Sequence, residues 1–307
     1  MTTRLDRLLS PALLLAALPM VVLPAQDDMA AEPAPELRRL APMVGNWVGK
    51  GTMSEPGGVE TAWRAHGSYR WALGGHFVEE DFLIEFEGSP APFVFRSYVG
   101  WDRERERYVA AIANSAGQVQ LAELQILPDG TFLQLMLQNQ GGMPYAERSR
   151  VRIDGDAMTM QIDFLMPEGD SMRVIDGAFE RRGDEFRGEF GAKGWMGATP
   201  NDAMQRLARM CGTYDLTGQM AMMPGAPMTE ITGTDSFRSV WGGNVVHGRT
   251  EGHAAGAPEA YESHAFWAWD GKRDCIRCVS PTTWAWSARW TCTGPRTAPW
   301  SAPAPAR

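Results

Sequence analysis

Ala157-Met158-Thr159-Met160-Gln161-Ile162-Asp163-Phe164-Leu165-Met166 puts Met158, Met160, Ile162, Phe164 and Met166 on one face and Thr159, Gln161 and Asp163 on the other. Successive side chains of a strand point to opposite faces, so this period of two marks a β-strand with one buried and one wet side. The same alternation runs through Trp63, Ala65, Gly67, Tyr69 and Trp71, with Arg64, His66, Ser68 and Arg70 between them. Turn-forming groups punctuate the stretch around these strands, among them Glu55-Pro56-Gly57-Gly58, Gly88-Ser89-Pro90, Pro128-Asp129-Gly130, Asp154-Gly155-Asp156 and Pro167-Glu168-Gly169-Asp170. They divide it into ten expected strands, near 46–53, 61–72, 76–87, 92–101, 106–114, 118–126, 131–139, 145–153, 157–166 and 172–182. Ten consecutive antiparallel strands on short turns predict an all-β, ten-stranded up-and-down barrel, because closure removes exposed edges. A β-sandwich is the alternative, although its crossovers need some longer connections. Ahead of the strands, Leu37, Leu40 and Met43 recur at helical spacing and predict a short helix that plugs or precedes the barrel.

The chain then repeats itself. Arg39-Leu40-Ala41-Pro42-Met43-Val44-Gly45-Asn46-Trp47 returns as Arg206-Leu207-Ala208-Arg209-Met210-Cys211-Gly212-Thr213-Tyr214. Tyr69-Arg70 with Gly74-Gly75 returns as Phe237-Arg238 with Gly242-Gly243, and Trp101-Asp102 as Trp269-Asp270. The period is far longer than the roughly 20–50 residues of a solenoid unit, so it reads as a duplicated domain. Only five strands follow in the second copy, near 213–221, 229–240, 244–252, 260–269 and 273–279. The expected organisation is a first barrel over 36–182, a glycine-rich linker over 183–201 and an incomplete second copy over 202–280. The missing strands leave open edges that are expected to pair with a protein partner or with another copy of the chain.

Residues 281–307 have no period and are rich in Pro, Ala, Trp and Arg. A frameshift is the expected origin of this tail. Tryptophan has a single codon ending in G, so in the neighbouring frame Trp284-Ala285 encodes Gly and Trp290-Thr291 encodes Asp. Free third bases then allow a continuation that follows Asn114–Leu124 of the first copy. A native aperiodic tail is the alternative.

At the other end, Arg4 and Arg7 precede an apolar run from Ala12 to Leu23 and small residues at Pro24-Ala25. Residues 1–25 therefore read as a signal peptide and 26–35 as a disordered spacer, which makes the protein exported, periplasmic or extracellular. The apolar run falls short of the roughly 20 residues of a membrane span, so no integral span is expected after cleavage. A net charge of −8 and a pI near 5.2, with no basic stripe, argue against a nucleic-acid partner. The four cysteines, Cys211, Cys275, Cys278 and Cys292, all lie in the second half. Cys275-x-x-Cys278 has no second ligand pair and falls on a strand, where residues three apart face opposite ways, so no metal site is assigned.

Gly45-Asn46-Trp47, opening the first strand after a short helix, resembles the Gly-x-Trp start of the lipocalin and calycin barrels. Val48-Gly49-Lys50-Gly51 is similar to the opening strand of nitrobindin-like haem barrels. Leu40 with Gly45 and Trp47, then Leu73-Gly74-Gly75-His76-Phe77-Val78-Glu79-Glu80, then Val99-Gly100-Trp101-Asp102 with Tyr108-Val109, resembles an uncharacterised bacterial family of exported lipocalin-like domains. The resemblance implies a calycin-type barrel, brings no catalytic residues and assigns no reaction. In haem-binding relatives a histidine on a late strand holds the iron, but strands six to ten here contain no histidine, so no cofactor is expected. In the second copy Tyr214 stands where the first has Trp47.

The candidate ligand-binding residues are Trp47, Tyr69, Arg70, Trp71, His76 and Glu80. Glu80 shares a face with Val78, Phe82, Ile84 and Phe86, which aims a carboxylate inward as a ligand anchor or an acid. Arg70 and Arg238 occur in both copies, as expected of an arginine stacked over the barrel tryptophan. His76 follows Gly74-Gly75 but its counterpart is Asn244, and the remaining histidines are scattered without ligand spacing. Met136, Met158, Met160 and Met166 offer an adaptable apolar lining. No nucleophile–histidine–acid set is present, so the expected function is non-enzymatic binding of a small apolar ligand. The alternatives are an enzyme acting through Glu80 or His76, or an interaction module with a filled barrel.

Overall fold

Ten antiparallel strands close into one barrel in the computed structural model, which describes residues 32–281 apart from 55–57, 141–142, 184–195, 198, 222–226 and 258–259. The strands are β1 (Gly45–Ser54), β2 (Glu60–Ala72), β3 (Phe77–Phe86), β4 (Phe93–Asp102), β5 (Arg107–Asn114), β6 (Val119–Ile126), β7 (Phe132–Gln140), β8 (Met143–Asp154), β9 (Ala157–Leu165) and β10 (Ser171–Arg182). Each pairs with its neighbours in sequence, and β10 returns to β1. The predicted signal peptide, most of the predicted spacer, the tail after Pro281 with the frameshift expected there, and most of the predicted linker lie outside the described residues.

Glycine and aromatic residues are matched across the inner wall. A side chain at Gly49 would overlap the Phe179 ring, one at Gly67 would overlap Phe82, and one at Gly51 or Gly177 would overlap Trp63. The bare backbone of β1, β2 and β10 thus makes room for three large rings. Phe82 lies edge-on to Phe179 at 5.9 Å and stacks on Phe95 at 5.4 Å. This half of the barrel is filled.

One end is closed by a 3-10 helix, Pro35–Met43, which buries Leu37, Leu40 and Met43. Its three-residue period brings side chains spaced by three onto one face, which is the spacing the sequence shows. Trp47 Nε1 donates to the Met43 carbonyl at 2.8 Å and Tyr108 Oη to the Glu36 carbonyl at 2.6 Å, pinning the plug to the wall.

After helix α1 (Asp202–Ala208) a second sheet follows in the order β11 (Gly212–Ala221), β12 (Met228–Val240), β13 (Val245–Ala254), β14 (Tyr261–Asp270) and β15 (Cys275–Val279). Among the described strands, β11 and β15 are its edges. It does not stand apart. Trp241, Val245, Phe266, Ala268 and Val279 form one apolar cluster with Leu73, Phe77, Val94, Tyr98, Ala111 and Val119, which project from the outside of β3–β6 and the turn before β3. The outer face of β3–β6 is therefore covered. No helix among the described residues is long and apolar enough to cross a membrane.

Candidate functional site

The wall on the far side from the packed rings is less completely buried. Strand pairing places Gln134, Met136 and Gln138 of β7 opposite Ser149, Glu147 and Tyr145 of β8, with Ile162 and Phe164 of β9 beside them. These side chains share the face of Val151 and Met160, which pack on the barrel core. Apart from Ser149 they stay only partly buried, unlike Phe82, Trp63 and Phe179 across the barrel.

Two carboxyl groups point into the barrel, Glu80 from β3 and Glu147 from β8. Glu80 Oε1 accepts from Tyr69 Oη at 2.7 Å and its Oε2 from Ser97 Oγ at 2.5 Å. Burial raises the Glu80 carboxyl above its ordinary value, against the lowering effect of those two hydrogen bonds. Glu147 accepts one long hydrogen bond, 3.3 Å from Gln138 Nε2 to Oε2. Burial raises its carboxyl too, with only that bond opposing. Sequence reasoning missed Glu147, although its alternation with Tyr145, Ser149 and Val151 was available.

The sequence-predicted residues divide. Tyr69 and Glu80 meet inside the barrel, and Trp47 is fully buried at the plugged end. Trp71 is 42% exposed on the last turn of β2. His76 caps the short 3-10 turn Leu73–Gly75 rather than lying on a strand. Arg70 corrects an expectation. It does not stack on the barrel tryptophan but lies outside, with Nε 2.9 Å from Glu79 and Nη2 3.1 Å from Asp81. The arginine over Trp47 is Arg181, its guanidinium carbon 4.4 Å from the ring centroid. Parity explains this: Arg70 is one residue from Tyr69 and must face the opposite way, whereas Arg181 pairs directly with Trp47 across β10 and β1.

Outside the barrel, where the second sheet docks, a charged cluster is buried. Arg96 joins Asp81 at 2.6 Å and Glu79 at 3.1 Å, and Tyr98 Oη donates to Glu79 at 2.9 Å. Burial opposes the charge on Glu79, but Arg96 and Arg70 hold its carboxyl below the ordinary value. Against this cluster His247 and His264 stand nitrogen to nitrogen at 2.9 Å, and His264 stacks on Tyr98 with centroids 4.9 Å apart. The two histidines sit on neighbouring strands, a juxtaposition that linear spacing does not reveal. Among the described residues no group of three or more His, Cys, Asp or Glu side chains is placed to hold a metal. Cys275 is disulfide-bonded while Cys278 is a free thiol pushed up to about 12 by burial, so the two do not form one site.

A family model described as "Protein of unknown function (DUF1579)" matches residues 32–181 and again 199–279. The chain belongs to this family. Both matches follow structural units, the barrel and the second sheet with its leading helix. No curated protein matches the chain. Two solved structures similar to the DUF1579 barrel are Rv2717c from M. tuberculosis and the S-type phycobiliprotein lyase CPES from Guillardia theta. The first is 15% identical with a TM-score of 0.39, covering 49% of this chain and 99% of its own. The second is 10% identical with a TM-score of 0.36, covering 52% of this chain and 97% of its own.

Proposed function

We propose that the chain is an exported, non-enzymatic binding protein whose first barrel holds one small apolar molecule. The observation that carries this reading is the uneven interior. Rings fill the β1–β3 and β10 side, whereas Met136, Tyr145, Glu147 and Phe164 on the opposite wall remain partly accessible. Barrel interiors that are mostly apolar and carry a few convergent polar groups are ordinary sites for small ligands. The plug closes one end, so a ligand enters between the turns at the other.

Catalysis through Glu80 is disfavoured, because both of its oxygens already accept hydrogen bonds from Tyr69 and Ser97. We read the second sheet as a partial repeat of the barrel, supported by the twice-matching family model and the recurring order of elements. Its role is to cover the outside of β3–β6. Export rests on the apolar run Ala12–Leu23 behind Arg4 and Arg7.

The neutral dye Nile red, titrated into the full chain, is expected to brighten with one-to-one stoichiometry and to be displaced by apolar compounds. Native mass spectrometry should then show one bound molecule per chain. A dye that neither brightens nor remains bound would remove the reading. Fractionation with N-terminal sequencing tests export separately: a cytoplasmic product that keeps Met1 would contradict it.

A further inference from the structure

The charge-bearing groups inside the barrel, between the plug and the mouth, are all carboxyls. Between the plug and the mouth the inward positions hold two carboxyl groups, Glu80 and Glu147, together with amides and hydroxyls. Among the described residues no lysine, arginine or histidine shares that space, since Arg181 belongs to the plugged end over Trp47. Arg148 and Arg150, which flank Glu147 and Ser149 on β8, face outward and pair with Asp163 at 2.9 and 2.6 Å.

The two carboxyls are not equivalent. Glu80 has both oxygens occupied by Tyr69 and Ser97. Glu147 has its single long bond from Gln138, and its other oxygen has no hydrogen-bond partner among the described residues. It sits half-buried in the wall next to Met136 and Phe164, with which it pairs across the strands. A half-buried, inward-facing carboxyl with spare acceptor capacity can take a further donor, and covering it with a ligand that supplies none is costly. What completes it must donate.

We propose that the barrel selects apolar molecules whose polar end is a hydrogen-bond donor, a primary amine foremost, that Glu147 reads that end, and that carboxylate-ended lipids are rejected. This deepens the reading of the barrel as a binding vessel and rests on it. An alkylammonium brings the charge that a buried carboxylate lacks, and their attraction in a water-poor interior offsets the desolvation of both. A fatty acid would place a third acidic group among the other two with no cation to meet it, which disfavours entry by like-charge repulsion. A neutral alcohol donates one hydrogen bond and ranks between them.

The full chain is tested with dodecylamine, dodecanol and dodecanoate at neutral pH, each displacing Nile red and each confirmed by native mass spectrometry. Dodecylamine is expected to bind about tenfold or more tightly than dodecanoate, a ratio in keeping with one charge-assisted hydrogen bond. In Glu147→Gln the affinity for dodecylamine relative to dodecanol, measured on the same variant, should fall about tenfold. Equal binding of amine and carboxylate by the unaltered chain would overturn the proposal, whatever the stability of the variant. So would an unchanged amine-to-alcohol ratio in Glu147→Gln that keeps its melting temperature. If Nile red and dodecanol bind while the amine preference is absent, only the role of Glu147 fails. If nothing enters, the binding reading fails with it.

Discussion

At the scale of single residues, the barrel depends on where side chains are missing. Gly49 and Gly67 leave the space that Phe179 and Phe82 fill, and those two rings pack on each other. Gly49→Ala is therefore an overpacking change, expected to cost about 1–3 kcal/mol. Thermal denaturation should show a lowered Tm, and Phe179→Leu in the same chain should recover part of it. A Gly49→Ala chain that melts with the unaltered protein would show that the ring has room to move. The alternation of β2 and β9 was legible residue by residue, and so was the inward aim of Glu80. Glu147 was passed over because an acid in a strand rich in arginine reads as one more wet position. Only closure of the barrel shows which parity of β8 faces inward. Arg70 failed for the opposite reason, since its recurrence in both copies was read as a stacking role when it answers to the buried acids Glu79 and Asp81.

At the scale of elements, the 3-10 plug makes the barrel a closed-ended vessel. Leu40 has no exposed surface and lies between Leu37 and Met43 against the core. Leu40→Ala should cost about 2–5 kcal/mol, the range for a large-to-small change at a fully buried site. Because the plug is one short turn at a barrel end, part of that loss should appear as local opening. Hydrogen exchange is expected to quicken at the starts of β1 and β5 before it quickens at β9. Uniform acceleration would show that plug and barrel unfold as one unit. The helix and the strand that follows it were readable from Leu37, Leu40, Met43 and the Gly-x-Trp opening. The substitution of Tyr214 for Trp47 seemed to break that opening in the second unit, yet the contact survives. Tyr214 Oη donates to the Met210 carbonyl at 2.8 Å, as Trp47 Nε1 does to Met43. Two different donors reach the same carbonyl four residues back, so the function of the position is retained while its residue type is not.

At the scale of the whole molecule, the sequence showed ten strands and then five but not how they meet, because a docking face is built from residues distant in the chain. Glu79 and Asp81 alternate with the inward face and so sit on the outer side of β3, yet they are buried, at 7% and 6% exposure, beneath Arg70, Arg96 and Tyr98 where the second sheet docks. The consequence is a pH dependence of docking. Burial, with repulsion from Arg96, His264, Arg238 and Arg249, drives His247 down to about 2 from an ordinary value of 6.5. Burial also lowers His264, opposed by the attraction of Glu79 and Glu262 and reinforced by Arg96 and Arg249. Around the pair stand Glu79, Arg96 and Tyr98 from the barrel, and Arg238, Arg249 and Glu262 from the second sheet. A histidine whose docked pKa is depressed binds protons more readily when undocked, so docking is at full strength above about pH 6.5 and weakens as pH falls toward 2. The barrel, with its own closed ladder and core, carries no such histidine inside. After correction for intrinsic exchange rates, amide exchange at β13 and β14 should accelerate between pH 7 and pH 4 while β8–β10 remain protected. Replacing the titrating ring in His247→Phe should flatten that rise, because no proton can then favour the separated state at this position. Equal acceleration in both units, or a rise that the variant leaves untouched, would place the acid sensitivity elsewhere in the molecule.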